Sequence, residues 1–271
     1  MEQAAGGAAA PPTLTVAVLT YNEAQRIGEC LASAAFADQL LVVDSGSDDD
    51  TVAIARRLGA EVHSHPDWQG FAVQRNRLLQ HARGDYIFFL DADEVMTPAF
   101  AQELRAIVQS GAQGVWTIRW RMVAFGSELR WFRAQTRIER LFVRRLVSRF
   151  SGAVHEQAEL LPLADGTPPP RRHMRARLLH YSRNTVRGSL QKLTQYVMLG
   201  AAKRSERGKR GGVLRGLASG TSMFVRLYVL QLGFLCGGAG FLYCLFVALE
   251  GFFRYAALHY DRDSLTERVI R

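Results

Sequence analysis

Two carboxylates separated by one small residue, Asp91-Ala92-Asp93, follow directly on five apolar residues, 86–90 (YIFFL). Where a strand ends and the chain turns, side chains at i and i+2 can converge and offer hard oxygen ligands. Mg²⁺ or Mn²⁺ takes one or two such carboxylates and completes its shell with substrate phosphate oxygens. An ion held there neutralises a diphosphate and the charge that grows on it as it departs. A lone DxD is equally a solvated acidic turn, so its weight comes from its company. Thr20-Tyr21-Asn22-Glu23 closes the apolar run 14–19 (LTVAVL), and Asp44-Ser45-Gly46-Ser47-Asp48 closes 40–43 (LLVV). Backbone amides and short polar side chains at such ends can grip a nucleobase and ribose. Taken singly, each is also ordinary turn and N-cap chemistry.

The elements that must position these residues alternate. Strands are expected at 14–19, 40–43, 60–64 and 86–90, and helices around Ile27, Leu31 and Ala34, at 51–58, at 71–82 and from Pro98 to about Val108. Alternation of this kind implies an α/β fold with a mostly parallel sheet and helices on both faces. Ligands then bind beyond the carboxyl ends of the strands, where all three polar turns fall. Further strands are expected at 115–123 and 140–145, a loop at Pro168-Pro169-Pro170, a helix over 187–203, and a mobile stretch over 203–212.

With 271 residues, 48% hydrophobic and 22% charged, the chain can bury a sizeable core. Cys30, Cys236 and Cys244 form no CxxC pair, which argues against a zinc knuckle or a disulfide framework and fits a reducing compartment. Residues 1–12 are mostly Ala, Gly and Pro without a basic or apolar core, so no secretory signal is read there and the folded part is expected in the cytoplasm. The net charge of +9 is uneven. Residues 1–118 carry seven basic against fifteen acidic side chains, and 119–226 carry twenty-three against six. Such a basic segment suits an anionic partner, whether nucleic acid, a phosphorylated substrate or an anionic membrane face, or else is a solvated arginine-rich surface.

Residues 227–249 contain no charged side chain over 23 positions, long enough to span a bilayer. Glycines interrupt the run, and Arg226 and Glu250 bound it closely. A break at Gly237-Gly238-Ala239-Gly240 would give two short helices lying in the membrane interface, preferred here over a true span or a buried helix pair.

The segments LTVAVLTYNEAQRI, LLVVDSGSDDDTVAIA and GDYIFFLDADE, in this order, resemble the family 2 glycosyltransferases over roughly residues 13–110. The resemblance implies a GT-A fold (a Rossmann-like, mostly parallel sheet), a nucleotide-sugar donor and inversion at the anomeric carbon. GFAVQRNRLLQHARGDYIFFLDADE, RFSGAVHEQAEL and the tail GFLCGGAGFLYCLFVALEGFFRYAALH are similar to the subgroup that adds a β-1,4-glucose to a heptose of the lipopolysaccharide inner core. Carried over, Thr20, Tyr21 and Glu23 would line the uridine pocket, with Asp44 and Ser45 near the base. Ser45 stands where many members carry a second acid. Asp91 would reach the ribose and the metal, and Asp93 would be the principal ligand of Mg²⁺ or Mn²⁺. The processive Gln-x-x-Arg-Trp signature is absent, which points to a single sugar addition.

Inverting transfer needs a base for the acceptor hydroxyl, and Glu156 in Val154-His155-Glu156 is the candidate, with His155 a helper or a packed histidine. Of Arg140, Arg144 and Arg145, alternate strand positions face opposite ways, so not all can meet a diphosphate. The expected organisation is a disordered N-terminus over 1–12, a GT-A domain over 13–165, a basic linker and helical region over 166–222, apolar membrane-associated helices over 223–260, and a tail over 261–271. The partners implied are UDP-glucose or a related donor, a lipid-linked anionic saccharide acceptor and the cytoplasmic face of the inner membrane. The rival readings are a transferase for another glycolipid or sugar, an inactive membrane-docked binding protein, and a nucleic-acid binder. The acidic rim speaks against the last, because it would repel phosphate unless a metal intervened.

Overall fold

The apolar runs become strands whose two faces are both covered. In the computed structural model, which describes residues 10–133, 136–152 and 157–265, the first half runs β1 (Leu14–Thr20), α1 (Ile27–Ser33), β2 (Gln39–Asp44), α2 (Thr51–Arg57), β3 (Glu61–Ser64), α3 (Phe71–His81), β4 (Tyr86–Asp91), β5 (Glu94–Val95) and α4 (Pro98–Gln109). There follow β6 (Val115–Ala124), β7 (Ser127–Glu128), β8 (Arg137–Val143), β9 (Val147–Ser151), β10 (Gln157–Leu160) and β11 (Arg171–Arg183). Three helices complete the chain: α5 (Val186–Glu206), α6 (Val213–Val225) and α7 (Gly237–Tyr260). The chain divides into two units, Met1–Trp120 with Thr136–Leu179, and Arg121–Gln135 with His180–Arg271.

In the first unit the sheet order is β3-β2-β1-β4-β8-β6-β11-β5. Strands β1 to β4 are parallel, whereas β8 runs antiparallel to both β4 and β6. This is the mixed, mostly parallel α/β architecture expected. Alternation within β4 explains its composition. Tyr86, Phe88 and Leu90 pack with Ile27, Leu31, Phe100 and Leu104, while Ile87 and Phe89 pack with Leu78, Phe142 and Phe150 on the other face. A strand buried on both faces has no polar position to spare, and each such side chain contributes about 1.5–3 kcal/mol on burial. Thr97 caps α4 by accepting from Phe100 N, with Pro98 in the first turn.

Two expectations change here. Residues 171–183, expected within a linker and helical region, form the thirteen-residue strand β11. The apolar tail breaks earlier than expected. A π-helical turn (Arg226–Leu230) and a 3-10 turn (Gly233–Cys236) precede α7, which then runs unbroken from Gly237 through Glu250 to Tyr260. The reason lies in the packing of the second unit. A Cβ on Gly240 would meet Gly233 O at 2.3 Å, so that glycine serves close approach to the preceding turn rather than a break. Likewise a Cβ on Gly216 or Gly220 of α6 would stand 2.8 and 3.0 Å from the Phe252 and Ala248 carbonyl oxygens of α7. These small residues let the two helices approach closely, as in membrane-type helix pairs.

One edge of the first unit carries a pH-sensitive contact. Glu61 on β3 meets His63 Nε2 at 2.9 Å, Gln39 Nε2 at 3.0 Å and Arg83 at 2.8 Å. The His63 bond foremost, against the opposing cost of partial burial, brings its carboxyl from 4.5 down to about 2. A carboxyl lowered on folding stabilises the fold above its unfolded value, and that stabilisation is lost as pH falls from about 4.5 towards about 2. Urea unfolding across this range is therefore predicted to be less pH-dependent in Glu61→Gln than in the wild type. Parallel profiles would contradict the assignment.

Candidate active site

Register alone gathers the three polar turns. Thr20 pairs with Asp44 across β1 and β2, Leu19 pairs with Asp91 across β1 and β4, and Asp44 pairs with Ser64 across β2 and β3. The turns leaving β1, β2 and β4 therefore sit side by side on one rim, at the carboxyl ends of parallel strands.

The first two turns are laced together. Asn22, in the left-handed region with φ 53°, receives Asp48 N on its side-chain oxygen at 3.0 Å and donates its own N–H to Ser47 Oγ at 2.9 Å. Glu23 N donates to Thr51 Oγ1 at 2.8 Å, and Ala24 N to Asp49 Oδ2 at 3.1 Å. Asp44 is 1% exposed, and its carboxylate accepts from Gly46 N at 2.9 Å, Ser47 N at 3.0 Å and Ser47 Oγ at 2.5 Å. It thus shapes the loop that follows it, including Gly46, whose φ of +91° and contact with Pro66 exclude a side chain. Ser45 N donates to Thr20 O at 3.0 Å, while Gln74 of α3 donates to Ser45 Oγ at 3.1 Å. Thr20 Oγ1 is buried with no hydrogen-bond partner among the described residues, a polar atom left for a ligand or water.

The third turn is built around an arginine. Arg140 on β8 is 1% exposed. It donates through Nη1 to Asp91 Oδ1 at 2.9 Å and through Nη2 to Asp91 Oδ2, and the same Nη2 lies 3.3 Å from Glu94 Oε1. Glu94 is wholly buried and also accepts from Trp120 Nε1 at 2.5 Å and Asp91 N at 2.9 Å. Arg75 of α3 stands 3.8 Å from Asp91 Oδ1, its guanidinium over the Phe89 ring at 5.0 Å. Asp91 is therefore held by arginine, and Asp93, half-buried in the turn between β4 and β5, is the other carboxylate of the motif. Cys30 reports how closely the acids gather. Burial first, then the negative charges of Glu94, Asp93, Asp91 and Glu23, keep its thiol well above the ordinary range.

Among the described residues no group of three or more His, Cys, Asp or Glu is arranged to hold a metal ion. Asp91 and Asp93 are the carboxylates at this rim that could contribute to an ion whose shell ligand phosphates complete. Arg144 and Arg145 do not reach this rim. Because β8 runs antiparallel to β4, its far end carries Arg144 Nε to Gly84 O at 2.8 Å and Arg145 Nη2 to Gln113 at 2.5 Å, beside the start of β4. Neither can meet a diphosphate at Asp91. Glu156 and His155 lie outside the described residues. Sequence reasoning gave no role to Glu94, Gln74 or Arg75: Glu94 reads as part of an acidic turn, and Gln74 and Arg75 sit among other polar residues of α3.

The sequence model described as Glycosyl transferase family 2 matches residues 15–166. The chain is 26% identical over 265 residues to the lipopolysaccharide core biosynthesis glycosyltransferase LpsC of Rhizobium meliloti, covering 94% of each. It is 33% identical over 164 residues to a TPR repeat-containing protein of Synechococcus elongatus, covering 59% of this chain and spanning only 39% of that relative. Among solved structures it is similar to S. aureus TarS 1-349 in complex with UDP-GlcNAc, at 21% identity, covering 49% of this chain and 46% of that one, with a TM-score of 0.39.

Removing the arginine should expose how much the rim depends on it. Arg140→Met leaves two carboxylates, one fully buried, without their counter-charge, and is predicted to cost about 3–5 kcal/mol in urea unfolding. Adding Glu94→Gln to that variant should recover part of the loss. A cost below about 1 kcal/mol, within the range of exposed pairs, would show that the cluster does not hold the site together.

Proposed function

The chain belongs to glycosyl transferase family 2, and from that premise we propose that it moves a hexose, glucose foremost, from a nucleoside diphosphate sugar to a heptose of the lipopolysaccharide inner core. The observation that carries the donor half is the shared register of Thr20, Asp44 and Asp91 at the carboxyl ends of β1, β2 and β4. The likeness to LpsC over nearly the whole of both chains supports the acceptor half.

In this reading Thr20, Tyr21 and Glu23 meet the base and ribose, the buried Thr20 hydroxyl finding its partner there. Asp44 and Ser45 act by holding the loop 44–48 in shape. Asp91, clamped by Arg140, faces the ribose, and Arg75 adds positive charge close by. Asp93 would hold Mg²⁺ or Mn²⁺, which when bound neutralises the departing diphosphate. Glu156 takes the proton of the acceptor hydroxyl as its oxygen bonds to the anomeric carbon. The carbon–oxygen bond to the diphosphate breaks on the opposite face, and the configuration inverts.

The second unit suits a membrane surface. Leu214 is 81% and Leu230 68% exposed, with Leu217, Val225, Val229, Phe234 and Leu235 also open to solvent. Gly233–Tyr260 is long and apolar enough to cross a bilayer by length and composition. Glu250, near the middle of that segment, is buried against Arg183, which favours a helix lying in the interface over one crossing it. The exposed Arg207, Lys209 and Arg210 between α5 and α6 would each add on the order of 1 kcal/mol of attraction to an anionic leaflet.

Two experiments test this. Asp93→Ala should abolish turnover and weaken metal-dependent donor binding, whereas Glu156→Gln should keep donor binding and lose turnover by about a hundredfold or more. Full turnover in either variant removes the role given to that residue. Leu214→Glu with Leu230→Glu should shift the full-length protein from floating with anionic vesicles to remaining in the soluble fraction. Unchanged flotation would sink the membrane reading.

A further inference from the structure

The second unit contains a part-buried cationic seam that the transfer chemistry does not use. Lys192, Tyr196, Gly200 and Arg204 recur every fourth residue of α5, so they form one ridge of that helix. Glu250 and Arg254, one turn apart, share a face of α7. The two ridges meet at Gly200, where a Cβ would stand 2.3 Å from Arg254 Nε. Arg204 lies alongside, donating to Gly200 O at 3.2 Å with its guanidinium 5.4 Å from the Tyr255 ring centroid. At the end of β11, Arg183 is 6% exposed, pairs through Nη2 with Glu250, and stacks over Phe246 at 5.3 Å.

This cluster is short of acceptors. Of the described side chains named in the seam, Lys192, Arg183, Arg204 and Arg254 stand against the one acid Glu250, which leaves a net charge of +3. Arg183 Nη1, Arg254 Nε and Ser182 Oγ are all buried with no hydrogen-bond partner among the described residues. Buried donors without acceptors cost free energy, and guanidinium groups in that state are ordinarily found opposite an anion. Burial, and then the like charge of Arg204, lower the pKa of Arg254, as expected for cations held together without enough counter-charge. The glycine at 200 is what allows Arg254 to lie there at all.

We infer that this seam is a binding site for a phosphoryl group, with buried Arg183 and half-buried Arg254 as its donors and Arg204 at its margin. The phosphoryl chemistry is common to a phospholipid headgroup and a phosphorylated saccharide. The site involves none of the residues assigned to donor binding or catalysis, so its failure and theirs are separately readable.

The test is thermal unfolding of the full-length protein in neutral detergent, titrated with inorganic phosphate against chloride at equal ionic strength. Preferential exclusion of phosphate stabilises any fold without regard to Arg254, so the variants decide. A saturable rise in melting temperature is expected in the wild type. Half-saturation should need about tenfold more phosphate in Arg254→Gln, and equally in Gly200→Ala, which keeps every charge but displaces Arg254. If Arg254→Gln shows no cooperative transition, Arg204→Gln replaces it and must show weakening. Saturation that is absent, or undiminished in the variants, overturns the site. Competition then names the source: loss of the phosphate effect with phosphatidic acid in the micelle assigns a lipid headgroup, and loss with glucose 6-phosphate assigns a saccharide phosphate. Competition by neither overturns the proposal.

Discussion

The guanidinium of Arg140 lies almost wholly out of water and spans two carboxylates, Asp91 at the end of β4 and Glu94 at the start of β5. Removing the Arg140 and Glu94 charges from solvent is costly, and such a pair persists only when its hydrogen bonds are well supplied; Asp91, the third charge, stays partly open to solvent. Glu94 is so supplied: besides Arg140 it accepts from Trp120 and from the Asp91 backbone. The consequence is geometric. The turn bearing Asp91 and Asp93 cannot relax without breaking that cluster, so the acidic motif is held rigid before any ligand arrives. Preorganisation of this kind is what a site needs if charge is to be met where it develops.

The neighbouring loops depend on a second, milder constraint. Asp44 spends its carboxylate on the amides and hydroxyl of its own loop, and Asn22 ties that loop to the turn after β1. Loops 20–24 and 44–51 thus behave as one stitched surface. Asp44, expected from the sequence near the base, also gives the loop its shape.

Much of the first unit was legible beforehand, because strands buried on both faces must be apolar throughout and must end abruptly in polar turns. That pattern located β1 to β4 and predicted that residues 20–23, 44–48 and 91–93 would share a rim. The rest was less readable for physical reasons. β11 is arginine-rich and mostly half-exposed along its length, so it carries no apolar run to mark it as a strand. Arg140 resembled its neighbours Arg144 and Arg145 until the antiparallel course of β8 separated them by the height of the sheet. In the tail, glycines that read as helix breakers are sites of close helix approach, a distinction that depends on what lies opposite them. Glu250 looked like the boundary of an apolar stretch and is instead a buried partner of Arg183.

The central proposal is that a divalent ion at this rim is completed by a diphosphate and not caged by protein side chains, Asp91 being held by Arg140. Electron paramagnetic resonance of Mn²⁺, titrated into the full-length protein with and without UDP, tests this most directly. The account predicts weak Mn²⁺ binding alone and tighter binding, by at least about tenfold, once UDP is present. Equally tight binding in its absence would mean that the protein cages the ion by itself, and the arrangement described around Arg140 and Asp91 would be contradicted.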